Sequence, residues 1–455
     1  MMQRLRAIPF ALCLALALFP SHAEGYEDSD DEYDGYDEAE YVDEGEWAPE
    51  GESDLVYEGP VEDPLFALVR EGSASEIANS VAGSLDIRDA AGNTLLMAAC
   101  EAGRDREVIS ILIKAGIAVD GRNRAGATAL MLAAYRGNDL APVEALIKAG
   151  ARLDAVDDAG YTSLTYALLA EDPMVAAFLI GKKAGITMLD EEGKSPLHHA
   201  CMNPRVVEET VRLLLKAGCD PKARDFSGAT ALMYAARTPA PTPVLAALVK
   251  AGAKVSDIDE NGQGPLAYAV ATAGVETISF LLSAGANPRA SDQNGSTVLM
   301  LACAQTADPE VVRVLLKAGA RVDDLDDYRY TPLFYALYNE RRDDILPILF
   351  DAGAKGDARA IDGTTALMMA SYFGNAALVA RLVSVGASVN AADDQGKTAL
   401  MYACEQNQDD SAIRALIEAG ADLSLRDEEG ALARDYIARN AALAESAAAA
   451  LVAVE

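Results

Sequence analysis

The side chains here whose types could do chemistry are histidine, cysteine and the carboxylates. Of three histidines, His22 lies near the N-terminus, while His198 and His199 are adjacent. Covalent hydrolysis needs a nucleophile beside a base that a third group orients. No GxSxG, HExxH, CxxC or Gly-rich phosphate loop ending in Lys-Ser/Thr occurs. There are 71 Asp and Glu against 38 Lys and Arg, a formal charge of −33. The carboxylates recur at such regular places that no acid–base pair stands apart. A chain this acidic repels nucleic acid and anionic membranes and attracts a basic partner. The residues therefore predict no enzyme, no cofactor and no catalytic metal. The one stretch that invites a calcium reading is Asp30 to Tyr41, with Gly35 at the sixth place of an EF-hand-like loop. Its third place is Glu32, and its twelfth, which should be a bidentate Glu, is Tyr41.

The cysteines lead to the organisation. Cys100, Cys201, Cys303 and Cys404 each follow an Ala at the same place in a recurring motif, three motifs apart each time. At about 10 Å per motif they sit about 30 Å apart, far beyond the about 7 Å between Cα atoms that a disulfide spans. They read as small buried apolar residues. Cys219, in an Ala-Gly-Cys-Asp turn, is expected to be exposed and able to pair with another molecule.

The motif is marked by Gly92, Gly126, Gly160, Gly193, Gly228, Gly262 and Gly295, then Arg329, then Gly363, Gly396 and Gly430, spaced 33 to 35 residues apart. Each period reads as a turn, a helix, a short loop, a second helix and an extended hairpin. In one period Thr94 starts the first helix, whose Leu95, Leu96, Ala98 and Ala99 pack inward. Gly103 ends that helix. Val108, Ile111, Leu112 and Ile113 form the apolar stripe of the second, and Ala115-Gly116 closes it. The Ala-Gly closure recurs through Gly420, with Gly185 read as the closing residue of its period. A period near 33 with Ser195-Pro196-Leu197-His198-His199-Ala200, and Thr-Ala-Leu-Met elsewhere, resembles the ankyrin-repeat family over about residues 63–440. The resemblance implies an all-α solenoid of helix-turn-helix units with short hairpin tips. It also implies protein binding through the tips and the inner helices. One unit cannot bury both helices alone, so stability must come from stacking.

Four segments follow. Residues 1–23 read as a signal peptide, with Arg4 and Arg6 before an apolar run and Ser21-His22-Ala23 as the cleavage site. Residues 24–62 carry no Lys or Arg and are punctuated by tyrosine, which predicts a disordered acidic tether. Residues 63–430 hold a degenerate first unit and about ten further units. Residues 431–455 read as C-terminal capping helices. The expectation is an exported chain, periplasmic or secreted, of a bacterial type, monomeric and not membrane-inserted once the signal is cleaved.

Within the solenoid, aromatic residues and Arg fall where the family pattern is solvent-facing, and such residues favour interface centres. Tyr135, Arg136, Tyr338, Asn339, Tyr372 and Phe373 belong to inner helices, and Tyr161, Phe226, Tyr328 and Tyr330 to hairpin tips. The group Tyr328, Tyr330, Tyr338, Tyr372 and Phe373 is the preferred contact patch. Two irregularities predict local distortion. Gly185 to Gly193 is two residues shorter than the corresponding span elsewhere, and Gly181-Lys182 replaces an aliphatic pair, which predicts a weakened or bent junction near 180–193. Arg329 stands where the turn wants positive φ, which predicts an altered tip. The reading is a protein-binding scaffold. The alternative is an acidic sequestering protein that takes calcium or a cationic ligand on its N-terminal segment.

Overall fold

A threonine or serine opens nearly every inner helix because its hydroxyl can take an orphan backbone N–H. In the computed structural model the partner that completes the cap is a methionine. The N–H of Thr94 donates to Met97 Sδ at 3.4 Å while Thr94 Oγ1 accepts from the Met97 N–H. The same sulfur contact, 3.2 to 3.5 Å long, holds Thr128, Thr230, Thr297, Thr365 and Thr398. At Ser195 the acceptor is His198 Nδ1, 3.0 Å from the N–H. Thr-Ala-Leu-Met is thus the thioether version of the motif that ends in histidine, and the thioether is a weak acceptor.

The structure describes residues 63–443 and 446, except 82–85, 239–241, 307 and 340–341. Among the described residues there are 23 helices and no named strand. They run as inner and outer pairs, from Pro64–Glu71 with Ala74–Ser80 to Ala399–Gln406 with Ser411–Glu418, followed by Ala433–Arg439. Inner helices pack on the next inner helix from Leu95–Glu101 to Pro332–Ala336 and again from Ala366–Tyr372 to Ala433–Arg439, and most outer helices pack on outer ones. Leu96, Leu130, Leu164, Leu197, Leu232, Leu299, Leu333, Leu367 and Leu400 form one continuous buried column. Hairpins between units are pinned by isolated β-bridges, such as Val156 to Thr162 and Arg224 to Thr230. Each tip also takes a backbone bond from its neighbour; Asp158 N–H to Ala125 O at 3.0 Å is one. The signal-peptide, acidic-tether and calcium readings lie outside the described residues, as does most of the end of the 431–455 segment.

Three expectations are corrected. The junction near 180–193 has neither a shortened hairpin nor a missing aliphatic pair, because Gly185 is not the closing residue. Lys183 is: it adopts φ +58 and donates to Ile180 O, and Ala184 donates to Leu179 O. These are the bonds that Gly150 and Ala151 make to Ile147 and Leu146. The span from Lys183 to Gly193 therefore equals that from Gly150 to Gly160, and the aliphatic pair is Leu179-Ile180, both buried. Secondly, Arg329 does not deform its tip. It takes φ +64 and keeps the tip bonds, Arg329 N–H to Asp326 O at 2.9 Å and Asp326 N–H to Tyr330 O at 3.1 Å. The neighbouring hairpins over-determine the turn, so the chain tolerates about 1 kcal/mol of left-handed strain. Thirdly, Cys219 is buried, with Sγ 3.6 Å from Ile186 O.

Candidate protein-binding surface

Between most hairpins and their inner helices runs a ladder of buried or half-buried carboxylates. The Asp at the base of a tip turns Oδ1 onto two backbone N–H groups of its own turn, as Asp157 does with Ala159 and Tyr161. Its Oδ2 accepts the hydroxyl of a tyrosine nine residues on. Tyr166 to Asp157 is 2.8 Å, Tyr234 to Asp225 2.6 Å, Tyr268 to Asp259 2.8 Å, Tyr335 to Asp326 2.8 Å and Tyr402 to Asp393 2.7 Å. Tyr436 makes the same bond to Asp427. In one unit His199 replaces the tyrosine, with Nε2 2.8 Å from Asp190 Oδ2. Burial and the facing carboxylate push these phenols well above their ordinary value, so they stay protonated donors. Burial pulls His199 down, against the opposing pull of Asp190. The ladder fixes the hairpins to the helices and was not recognised from the sequence. Its signal was present all along, as Asp and Tyr at constant spacing.

Ser195 Oγ lies 2.8 Å from His198 Nδ1, a distance at which a base could activate a nucleophile. Here it does not mark a reaction site. Both side chains are buried, Nδ1 also accepts the Ser195 N–H, and Nε2 lies 3.3 Å from Ala229 O. Burial also lowers the basicity of His198. The imidazole is a helix cap that doubles as a clamp between units. Among the described residues no group of three His, Cys, Asp or Glu is placed to hold a metal ion.

The aromatic residues singled out from the sequence separate into exposed and buried sets. Tyr135 is 58 % exposed and Arg136 is exposed beside it. Tyr161 is half-buried, its ring 5.1 Å from His199 and 6.3 Å from Tyr166, which in turn is 6.4 Å from Tyr135. These rings make one strip across the third to fifth units. Further along, Tyr338 and Tyr372 meet Phe373 at 5.9 and 5.5 Å, both nearly perpendicular to it. Tyr372 and Phe373 are exposed and Tyr338 half-buried. Phe226 and Tyr328 stand exposed on their tips.

Tyr330 is a correction. It is only 8 % exposed, with its ring 5.0 Å from Phe334 in the core, so it is not a surface contact. Asn339 is another: it is buried, and Nδ2 donates to Cys303 O and Thr306 O of the preceding unit. Asn203 and Asn440 do the same in their units. Among the exposed apolar residues that were missed, Leu189, Ile258 and Leu325 stand just before a tip Asp, and Ile361 stands just after the Ala that replaces one. At three other tips the position before the Asp holds Arg88, Arg224 or Arg426, each donating to the carbonyl at the end of its own tip. An aliphatic residue in that place was the available signal.

A sequence model of the family described as ankyrin repeats (3 copies) matches in overlapping windows from 65–157 through to 344–427. The chain belongs to the ankyrin-repeat family. Similar curated proteins include the B-cell lymphoma 3 protein homolog of Mus musculus, 29% identical over 136 residues, which are 29% of this chain and 30% of that protein. The neurogenic locus notch homolog protein 2 of Homo sapiens is 38% identical over 73 residues, 16% of this chain and 3% of that protein. The aligned stretches thus span less than a third of either relative. Ankyrin repeats are in general non-catalytic modules for protein partners. Among the described residues of this ankyrin-repeat chain, no helix is long and apolar enough to cross a membrane.

Proposed function

We propose that this ankyrin-repeat chain is an exported, non-catalytic scaffold, monomeric and periplasmic or secreted, that holds one protein partner on its inner helices and hairpin tips. Export rests on the signal-like residues 1–23. The observation that carries the binding site is the ring cluster of Tyr338, Tyr372 and Phe373. Two tyrosine rings set edge-on against Phe373, with Tyr372 and Phe373 solvent-exposed, add little to the core but suit the centre of an interface. Tyr135, Arg136, Tyr161, Phe226 and Tyr328 extend the contact surface.

The test replaces Tyr338, Tyr372 and Phe373 with Ala in the full chain. Helical ellipticity and melting should stay close to wild type, because neither exposed ring fills a cavity. Capture of the partner from the exported protein fraction should weaken by about thirtyfold or more, the scale of an interface hot spot. Undiminished capture by the triple variant would sink the assignment of this patch.

A further inference from the structure

We propose that the hairpin ridge spanning residues 189–361 binds a cationic amphipathic helix of the partner. The inference rests on the scaffold reading above and names the partner chemistry. Tips built on residues 190, 225, 259, 326 and 360 each present a large exposed apolar side chain in one of two places. Before the tip Asp stand Leu189, Ile258 and Leu325; after it, or after the Ala that replaces it, stand Phe226, 70 % exposed, and Ile361, 65 % exposed. Only the tip with Ser291 and Gln293 breaks the row. Scattered apolar surface residues need no explanation, but one at five of six successive tips does.

The charges follow a rule of their own. Where the apolar residue precedes the Asp, the residue after it is an exposed carboxylate, namely Glu191, Glu260 or Asp327. No ion pair engages these three among the described residues. Where the apolar residue follows, the preceding residue is Arg224 or Arg359, whose guanidinium is turned onto the backbone carbonyls of Gly228 and Ile258, or of Gly363 and Ala392. Those cations are occupied by the fold, and the carboxylates face solvent. The ridge therefore offers apolar anchors alternating with available negative charge, the complement of an apolar and basic surface. Adjacent tips repeat with the helix spacing of about 10 Å. Seven residues of α-helix advance about 10.5 Å. A helix with an apolar residue every seventh position and Lys or Arg between would meet Leu189, Phe226 and Ile258 in turn.

The probe is a fluorescein-labelled helical 21-residue peptide with Leu at every seventh position, Lys on the same face and Ala elsewhere. Its mate carries Glu in place of Lys. Binding to the full chain is read by anisotropy at low and high salt, with ellipticity as a check on folding. The Lys probe should bind and the Glu probe should not. Phe226→Ser with Ile258→Ser should weaken the Lys probe about tenfold or more. Glu191→Gln with Glu260→Gln should weaken it severalfold at low salt and flatten its salt dependence. Tyr372→Ala with Phe373→Ala should leave it unchanged. Equal binding by wild type and both ridge variants, binding of neither probe, or equal binding of both probes overturns the ridge proposal. Partner capture lost by the Tyr372→Ala, Phe373→Ala variant and retained by the ridge variants would also overturn it, while leaving the scaffold reading intact.

Discussion

Replacing Tyr234 with Phe removes one hydroxyl from the tyrosine–aspartate ladder and nothing else. The ring keeps its edge contacts with His198 at 5.9 Å and Tyr268 at 6.4 Å. Asp225 Oδ1 keeps the N–H groups of Ser227 and Ala229 and the Ser227 hydroxyl. Only Oδ2 loses its donor, 2.6 Å away, in a place where both side chains are buried. A hydrogen bond to an ionised acceptor contributes about 1.5–3 kcal/mol, so about 2 kcal/mol is expected. In a solenoid that loss is shared among coupled units, so it is best read locally, as hydrogen exchange of the tip amides Ser227 and Ala229. Exchange should speed up about thirtyfold at pH 7.

The pH profile of that loss has a definite shape. Burial raises the Asp225 carboxyl, but the bonds from Tyr234, Ser227 and Ala229 outweigh burial and hold it below its ordinary value. Its contribution is therefore complete above the unfolded carboxylate range, near pH 4, and drains as pH falls through the lower folded value. Burial and the bond to Asp225 raise the Tyr234 phenol above its ordinary 10.0. Its contribution is complete below pH 10 and drains as pH rises toward the folded value. The difference between wild type and variant should be flat between about pH 5 and 10 and shrink on both sides. Acceleration below about threefold at pH 7, or a deficit larger at pH 11 than at pH 7, would refute the reasoning. Tyr135→Phe, on an exposed ring, should change nothing.

Lys183→Gly and Arg329→Gly relieve left-handed backbone at φ +58 and +64, and each should raise the urea midpoint by about 1 kcal/mol of stability or slightly less; a drop in either would show that the side chain, not the backbone, sets the local energy. Burial raises the Cys219 thiol to about 11 and those of Cys100 and Cys404 to about 12, and raises Cys201 and Cys303 further. Those five thiols should resist an aromatic disulfide reagent at pH 8 in the native chain and react at once in urea. Fast native labelling of Cys219 would contradict its burial.

The period, the helix pairs and the burial of the four in-register cysteines were legible because each rests on local spacing. Gly92, Gly126 and their successors do adopt positive φ, the property that makes glycine a punctuation mark. Reading failed where the backbone rule held but the usual residue did not. Lys183 and Arg329 show that a helix closure and a tip turn can each hold a left-handed residue that no local preference favours. Asn339 and Tyr330 failed differently: they sit next to surface positions in sequence, but one caps the preceding helix and the other turns into the core. The Asp–Tyr ladder and the aliphatic tips needed comparison of one column across all units rather than motifs along one unit.

The methionine caps carry a consequence for the conditions this chain can tolerate. A thioether has no proton to gain, so six of the inner-helix starts are indifferent to acidity. Only the start at Ser195 relies on an imidazole lone pair, which protonation would remove. In sufficiently acidic surroundings the fifth unit would lose this acceptor, while the methionine-capped starts would keep theirs.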